Sequence, residues 1–462
     1  MSGGLLPAGE LAERALEGAP AGGRIAIVEE LSEAELRYAN NTVTTNGTRQ
    51  SRAVTVISFD ARPDGVAAGV ATGSGALDVA DLVAAAEAAA ASSPLAEDAS
   101  PLVAGGASPD FHDEPERTRL QLLAPVIGGL PELFGRAEAD GRVVAGFAHH
   151  RVRTTYLAST TGIRARHVDP GGRVELVGRS ADGTRSAWAG AGTNLFDDID
   201  LAALEQRLVR GLDWARRRVE LPAGRYETVL PGDAVADLMT MFEAHASGKQ
   251  AEEGGSVFSA PGGGTRIGDR LCELPFALRS DPADPVVPTM PFVATAASQA
   301  DISVFDNGAP VPPVGWVSGG VLERLRYHRA GARRSGQAFT PDVGNLVLEL
   351  PGADGGLDDL IGRTERGLLV TCLWYIRTVD PATLLLTGLT RDGVYLVEGG
   401  EVVGAVNNFR FNESPVDLLA KASEAGRTER ALSREWSEWY TRTRMPPLRV
   451  AEFNMSSVSP AT

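Results

Sequence analysis

The sequence predicts an α+β protein of two domains. Residues 1–221 form an N-terminal duplicated, strand-rich α/β unit with long helices, and residues 222–462 form a C-terminal antiparallel β-rich domain. Three observations carry this prediction. The first half repeats one order of elements, a set of period-two strands followed by a long helix. The second half is a series of β-branched and aromatic runs separated by Gly, Asp and Asn turns. The chain has 462 residues, enough for two cores.

In the first copy, residues 24–28 read as a strand, and residues 35–44 and 53–59 alternate as half-buried strands do. Residues 65–73 follow as another strand. Asp78 is placed to cap a helix that runs to Ser92, and Pro94 ends it. In the second copy, residues 143–149, 152–159, 162–167, 173–179 and 186–191 read as strands. Asp197 or Asp198 then caps a helix with the stripe Leu201, Leu204, Leu208 and Leu212. Arg216, Arg217 and Arg218 complement the dipole at its C-terminal end. Tyr38 and Tyr156, and Gly73 and Gly192, fall at matching places of the two copies. Between the copies, residues 95–115 are rich in Ser, Pro, Gly and acids and read as a loop. Residues 120–138 read as short helical pieces, interrupted at Pro125 and at Gly128 and Gly129.

Leu221-Pro222-Ala223-Gly224 closes the first half. Beyond it, residues 226–230, 302–305, 345–350, 368–373, 393–397 and 402–411 read as strands. Glu398-Gly399-Gly400-Glu401 suits a hairpin turn. Helices are few: the segment from Asp233, residues 415–425, and a tail stretch carrying Trp436, Trp439 and Tyr440.

Composition excludes several functions. A net charge of -16 disfavours nucleic-acid wrapping, which needs basic surface to replace phosphate counterions. The two cysteines, Cys272 and Cys372, are too few for a disulfide framework or a cysteine-based zinc site and fit a reducing compartment. The start of the chain lacks the basic and apolar regions of a secretory signal, and the Ala-rich run 79–91 is broken by Asp81 and Glu87. A cytoplasmic protein with no membrane span is the expectation.

The histidines offer little chemistry. His149 and His150 are adjacent on a predicted strand and point to opposite faces. His245 lies two residues after Glu243, off its helix face. His328 sits among cations in Arg326-Tyr327-His328-Arg329 and reads as a surface or binding residue. Cys372 lies in an apolar run and reads as a small buried hydrophobe. Gly262-Gly263-Gly264 and Ser247-Gly248-Lys249 do not make a phosphate loop, and no G-x-S-x-G elbow is present. Arg324, Arg326, Arg329, Arg333 and Arg334 read as solvated charge, with a carboxylate or an acidic patch as a further option.

A spaced series of segments resembles the TldD/PmbA (TldE) peptidase family over nearly the whole chain. The segments are Asp233-Ala-Val-Ala-Asp-Leu, Ala246-Ser-Gly-Lys, Ser256-Val-Phe-Ser, Ile267-Gly-Asp-Arg-Leu and Gly319-Gly-Val-Leu-Glu-Arg-Leu, then Gly344-Asn-Leu-Val-Leu-Glu, Val379-Asp-Pro-Ala-Thr and Val397-Glu-Gly-Gly-Glu. The resemblance implies a helix that carries H-E-x-x-x-H in TldD-type chains, with a later cysteine as a further metal ligand. Set against that frame, the two histidine positions are Met239 and Ala244, and the glutamate position is Thr240. None can ligate a borderline cation or act as a carboxylate base. No cysteine follows Cys372. The usual T-G-D-F stretch keeps only Thr387-Gly388 here.

The resemblance therefore implies a TldE/PmbA-like subunit with no catalytic or metal-binding residue of its own. It would be a homodimer alone and would pair with a TldD-like chain holding zinc or a similar divalent metal. The pair would cleave unfolded peptides or a peptide-like metabolite. The alternatives are a metal-independent hydrolase using Cys372 or His245, and a peptide-binding, gyrase-modulator type of interaction protein.

Overall fold

A computed structural model of the chain describes residues 6–75, 78–438 and 442–459. The N-terminal half contains helix α1 (Ala8–Arg14), strands β1 (Arg24–Ala39), β2 (Thr42–Arg62) and β3 (Gly65–Ser74), and helices α2 (Val79–Ser92) and α3 (Ala124–Ala139). Strands β4 (Arg142–Ser159), β5 (Arg164–Ser180) and β6 (Ser186–Thr193) and helix α4 (Leu201–Trp214) complete it. The six strands form one sheet in the order β3-β2-β1-β4-β5-β6. The duplication is visible in that order. Each copy is three strands and a helix, and the copies join where β1 pairs antiparallel with β4, from Ile25 opposite Ser159 to Tyr38 opposite Gly146. Tyr38 and Tyr156 lie near the ends of these two strands. Their hydroxyls donate to the carbonyls of Glu175 at 2.8 Å and Asp113 at 2.7 Å.

Several boundaries differ from the sequence reading. β1 runs unbroken through residues 29–34, and the run 35–44 is two strands joined at Asn40 and Asn41, whose φ angles are 52° and 57°. Asn tolerates this left-handed conformation, and the Asn41 amide is held by the backbone of Arg142 and Val144. Asp78 caps α2 as expected, by accepting from the Ala80 N–H at 2.9 Å. The cap of α4 is Asp200 rather than Asp197 or Asp198. Asp198 instead accepts from Thr193 and from Arg430. α3 is one helix, not several pieces. Pro125 stands in its first turn, where the missing N–H costs nothing. Gly129 faces α4, where a Cβ would come within 2.8 Å of Leu201.

The second half begins with β7 (Arg218–Val219), β8 (Gly224–Leu230), α5 (Gly232–Ala244) and α6 (Gly248–Glu252). β9 (Ala277–Ser280), β10 (Val314–Ser318), β11 (Val321–Leu322), α7 (Arg329–Ser335), β12 (Leu346–Glu349) and α8 (Leu357–Gly362) follow. Then come β13 (Arg366–Val370), β14 (Leu373–Asp380), β15 (Leu385–Thr390), β16 (Val394–Glu398), β17 (Glu401–Val406) and β18 (Phe409–Glu413). The chain ends through α9 (Pro415–Lys421), β19 (Ala422–Ala425), β20 (Glu429–Ala431), β21 (Thr443–Met445) and β22 (Leu448–Val458). These strands build two sheets, β11-β10-β9-β12-β21-β20 and β14-β15-β18-β22-β8-β13-β16-β17-β7, with β19 on β22. Most pairs are antiparallel; β12 with β21, β13 with β8 and β17 with β7 are parallel.

The predicted strand 302–305 is instead a 3-10 turn, Val304–Asp306. Its apolar residues bury against Ile25, Ile57 and Phe59 of the N-terminal sheet, so hydrophobicity there marks a contact between the halves. The run 402–411 divides at Asn407 and Asn408 into two strands with different partners. The Gly399 and Gly400 hairpin forms with both φ angles positive. The helix predicted over 415–425 ends at Lys421. Residues 435–438 form turns rather than a helix, and Trp439 and Tyr440 lie outside the described residues.

α5 is the centre of the C-terminal core. Leu238, Met239 and Phe242 are fully buried in a cluster drawn from both sheets. A helix apolar on most of its surface belongs inside. Among the described residues no helix is long and apolar enough to cross a membrane.

Candidate functional site

α5 carries the three positions that the sequence resemblance sets against the metal motif, and they face different surroundings. Met239 is 0 % exposed and packs in the core. Thr240 is 8 % exposed, and Ala244 is exposed at the helix end. Positions five apart on an α-helix lie about 140° apart around its axis. Accordingly Thr240 and Ala244 line one cavity while Met239 does not.

That cavity, of about 480 Å³, sits at the C-terminal end of α5. Its polar wall is Glu243, Asp301, Asp342 and Arg326. Arg326 donates to Glu243 Oε1 at 3.4 Å and to the Ala244 carbonyl at 2.7 Å, and pairs with Asp301 at 3.4 Å. Burial pushes the Glu243 carboxyl up to about 7, against the pull of Arg326. Burial also raises Asp301, which accepts from the Ser247 hydroxyl. Among the described residues no three His, Cys, Asp or Glu side chains form a metal-binding group. At these three positions the side chains are a thioether in the core, a hydroxyl, and a methyl with no donor atom, a set that does not fit a divalent metal.

The other side of α5 is tied to the segment before β21. Asp237, 1 % exposed, accepts from the Ser433 hydroxyl and the Glu435 N–H, both at 2.9 Å. The Trp436 indole donates to the Asp237 carbonyl at 2.9 Å. One turn earlier, Asp233 accepts from the Leu432 N–H at 2.8 Å and from Arg207 at 2.7 Å. Arg434 lies between the rings of Trp188 and Trp374, 5.1 and 5.0 Å from their centroids. It contacts the Cys372 sulfur and lies 3.6 Å from Asp392.

The remaining candidates have structural positions. Cys372 is not within a strand but in the link between β13 and β14. It is 1 % exposed, and burial pushes its thiol up to about 12. Such a thiol is a poor nucleophile. His245 ends α5, with Nδ1 2.9 Å from the Met241 carbonyl and Nε2 3.3 Å from the Thr378 hydroxyl. His149 and His150 take opposite faces: one meets Glu33 at 3.3 Å, and the other is buried between Thr118 and the Asn194 carbonyl. His328 is not a surface residue. It is buried, and its Nδ1 caps α7 by accepting from the Gly331 N–H at 3.1 Å. Arg329, Arg333 and Arg334 are not free solvated charge; they bond to Pro101, Ser100 and Glu97 and fasten the loop between the two copies.

Asp237, Asp301, Asp342 and Arg434 were missed from the sequence. Asp237 left one signal, an acid one turn from Asp233 on an otherwise apolar helix.

The family described as PmbA/TldA metallopeptidase C-terminal domain matches residues 223–457. The chain belongs to the PmbA/TldD family. No curated protein matches it. Among solved structures, TldE from Thermococcus kodakarensis is similar with a TM-score of 0.75 at 16% identity, over 96% of this chain and 98% of that one. A protein from Thermotoga maritima described as a modulator of a DNA gyrase gives 0.74 at 17% identity, over 96% and 99%. One of like description from Bacteroides thetaiotaomicron gives 0.71 at 14%, over 97% and 98%. At these identities the likeness establishes the fold. Met239, Thr240 and Ala244, which the sequence resemblance sets against the metal motif, all lie on α5 of this fold.

Proposed function

We propose that the chain is a TldE-like, non-catalytic subunit of a two-chain metallopeptidase. Its partner is a TldD-like chain that supplies the metal, the activated water and the glutamate base. The pair acts on unfolded peptides or on a peptide-like metabolite in the cytoplasm. One observation supports the reading: α5, the helix that the sequence resemblance sets in the family's metal-binding place, is a packed core element, and its Met239, Thr240 and Ala244 offer no ligand set. The link between α5 and the late segment is made instead by Asp233 and Asp237.

A nucleophile in this chain finds no support. Cys372 is sealed from solvent beside Arg434, and both ring nitrogens of His245 are engaged. Direct DNA contact runs against the net charge of -16.

Sedimentation of the chain alone and mixed with a metal-bearing relative tests the pairing. A homodimer that exchanges into a one-to-one heterodimer supports it. Two species that never combine refute it.

A further inference from the structure

The cavity at the end of α5 holds an excess of negative charge with nothing assigned to it. Glu243 and Asp301, 5 % and 8 % exposed by residue in the first case and the second, both reach the same guanidinium. Each lies 3.4 Å from a different terminal nitrogen of Arg326, so the two carboxylates sit close together. Asp342 adds a third acid to the wall. Among the residues lining the cavity, Arg326 thus faces three acids, with Lys249 farther out acting on Asp301. The cavity also opens at a helix C-terminus, where the dipole favours positive charge.

A second observation is independent of the charges. Thr240 lines the same cavity and is 8 % exposed, and its buried hydroxyl meets no hydrogen-bond partner. Buried hydroxyls are normally bonded, because an unmade bond costs free energy. A neighbouring cavity of about 340 Å³ shares Asp301, Ile302 and Asp342 with the first. Its other walls include Met290, Phe292, Val293 and Phe339. Charge and apolar surface are therefore adjacent.

We propose that the α5 cavity binds a protonated primary amine whose apolar arm lies in the neighbouring cavity. An ammonium brings three donors and no acceptor. Glu243, Asp301 and the Thr240 hydroxyl supply acceptors for it. The amine is the amino terminus of a peptide with an apolar first residue, or a lysine side chain beside an apolar one; both share this chemistry. Because burial holds Glu243 near neutrality, with Arg326, Asp301 and Asp342 around it, binding strengthens as pH rises through about 7.

The site is a property of this chain alone and needs no partner, so its test is separate from that of the subunit assignment. The probe is 2-phenylethylammonium, titrated into the intact chain at pH 8 by calorimetry. Neutral 2-phenylethanol is the control of the same shape. Saturable binding of the amine, roughly tenfold or more tighter than the alcohol, is expected. Glu243→Gln should weaken it by about tenfold, and Thr240→Val by a few fold at unchanged melting temperature. Phenylalaninamide and N-acetyl-lysine methylamide, each affinity corrected for the fraction of amine protonated at the working pH, then separate the sources: the tighter binder names the natural group. Equal affinity for amine and alcohol would overturn the proposal. So would amine binding that Glu243→Gln and Thr240→Val leave unchanged in folded protein.

Discussion

The carboxylate of Asp237, sealed inside the C-terminal half, accepts a hydrogen bond from the Ser433 hydroxyl at 2.9 Å. The same oxygen takes the Glu435 N–H, so one atom of α5 holds two points of a segment almost two hundred residues away in sequence. Asp237→Ala strips partners from two buried donors, each worth about 1–3 kcal/mol. We expect a loss of roughly 2–4 kcal/mol in urea unfolding. Asp237→Asn keeps an acceptor in place and should cost distinctly less. Equal losses for the two variants would show that the hydrogen bonds do not hold the segment.

Glu243 predicts a pH signature. Its carboxyl is raised from 4.5 to about 7 by burial, with Arg326 lowering it and Asp342 and Asp301 raising it. Between these two values the folded chain binds more protons than the unfolded chain. Stability from this group is therefore present at low pH and falls as pH rises from about 4.5 to 7. Glu243→Gln removes that fall. The stability difference between variant and wild type should shift by roughly 2–3 kcal/mol in the variant's favour between pH 4 and pH 8. A pH-independent difference would contradict the burial of an ionisable Glu243.

The buried thiols predict silence. Cys372 and Cys272 are 1 % and 4 % exposed, and burial raises both. Iodoacetamide at pH 8 should label neither in the native chain and both after unfolding, by intact-mass measurement. Rapid native labelling of Cys372 would revive its candidacy as a nucleophile.

Restoring the family motif should not restore a metal. The triple variant Met239→His, Thr240→Glu, Ala244→His places one imidazole in the core and the other at an exposed helix end. No cysteine follows Cys372 to complete a set. The variant should be destabilised, since Met239 packs at 0 % exposure, and should hold far less than one zinc per chain by elemental analysis. One tightly held zinc per chain would refute this.

Local signals in the sequence were readable where one segment decides its own structure. Asp78 caps α2, the Gly399 and Gly400 hairpin forms, and the repeated strand order yields a sheet whose copies meet at β1 and β4. The misreadings share a cause, which is that a distant partner decides. Val304 and Phe305 look like a strand because they bury against the N-terminal sheet. His328 reads as exposed among arginines, yet Arg329, Arg333 and Arg334 bond the loop at 97–101, Arg326 bonds Glu243 and Ala244, and the imidazole caps α7. The site followed the same rule. Thr240 and Ala244 were found through the family's spacing, whereas Asp301 and Asp342 reach the cavity from loops that no periodicity marks. Arg434 between Trp188 and Trp374 joins three remote stretches, and no local pattern announces it.

The most direct test of the central claim is peptide cleavage by the chain alone, by a metal-bearing relative alone, and by the reconstituted pair. With the pair we expect activity that chelation abolishes. Removing the partner's base should cost about 10²–10⁴-fold, while Cys372→Ala and His245→Ala in this chain change turnover only a few fold. Metal-dependent cleavage by the chain alone, or a collapse caused by either substitution in folded, assembled protein, would place the chemistry here and contradict a non-catalytic role.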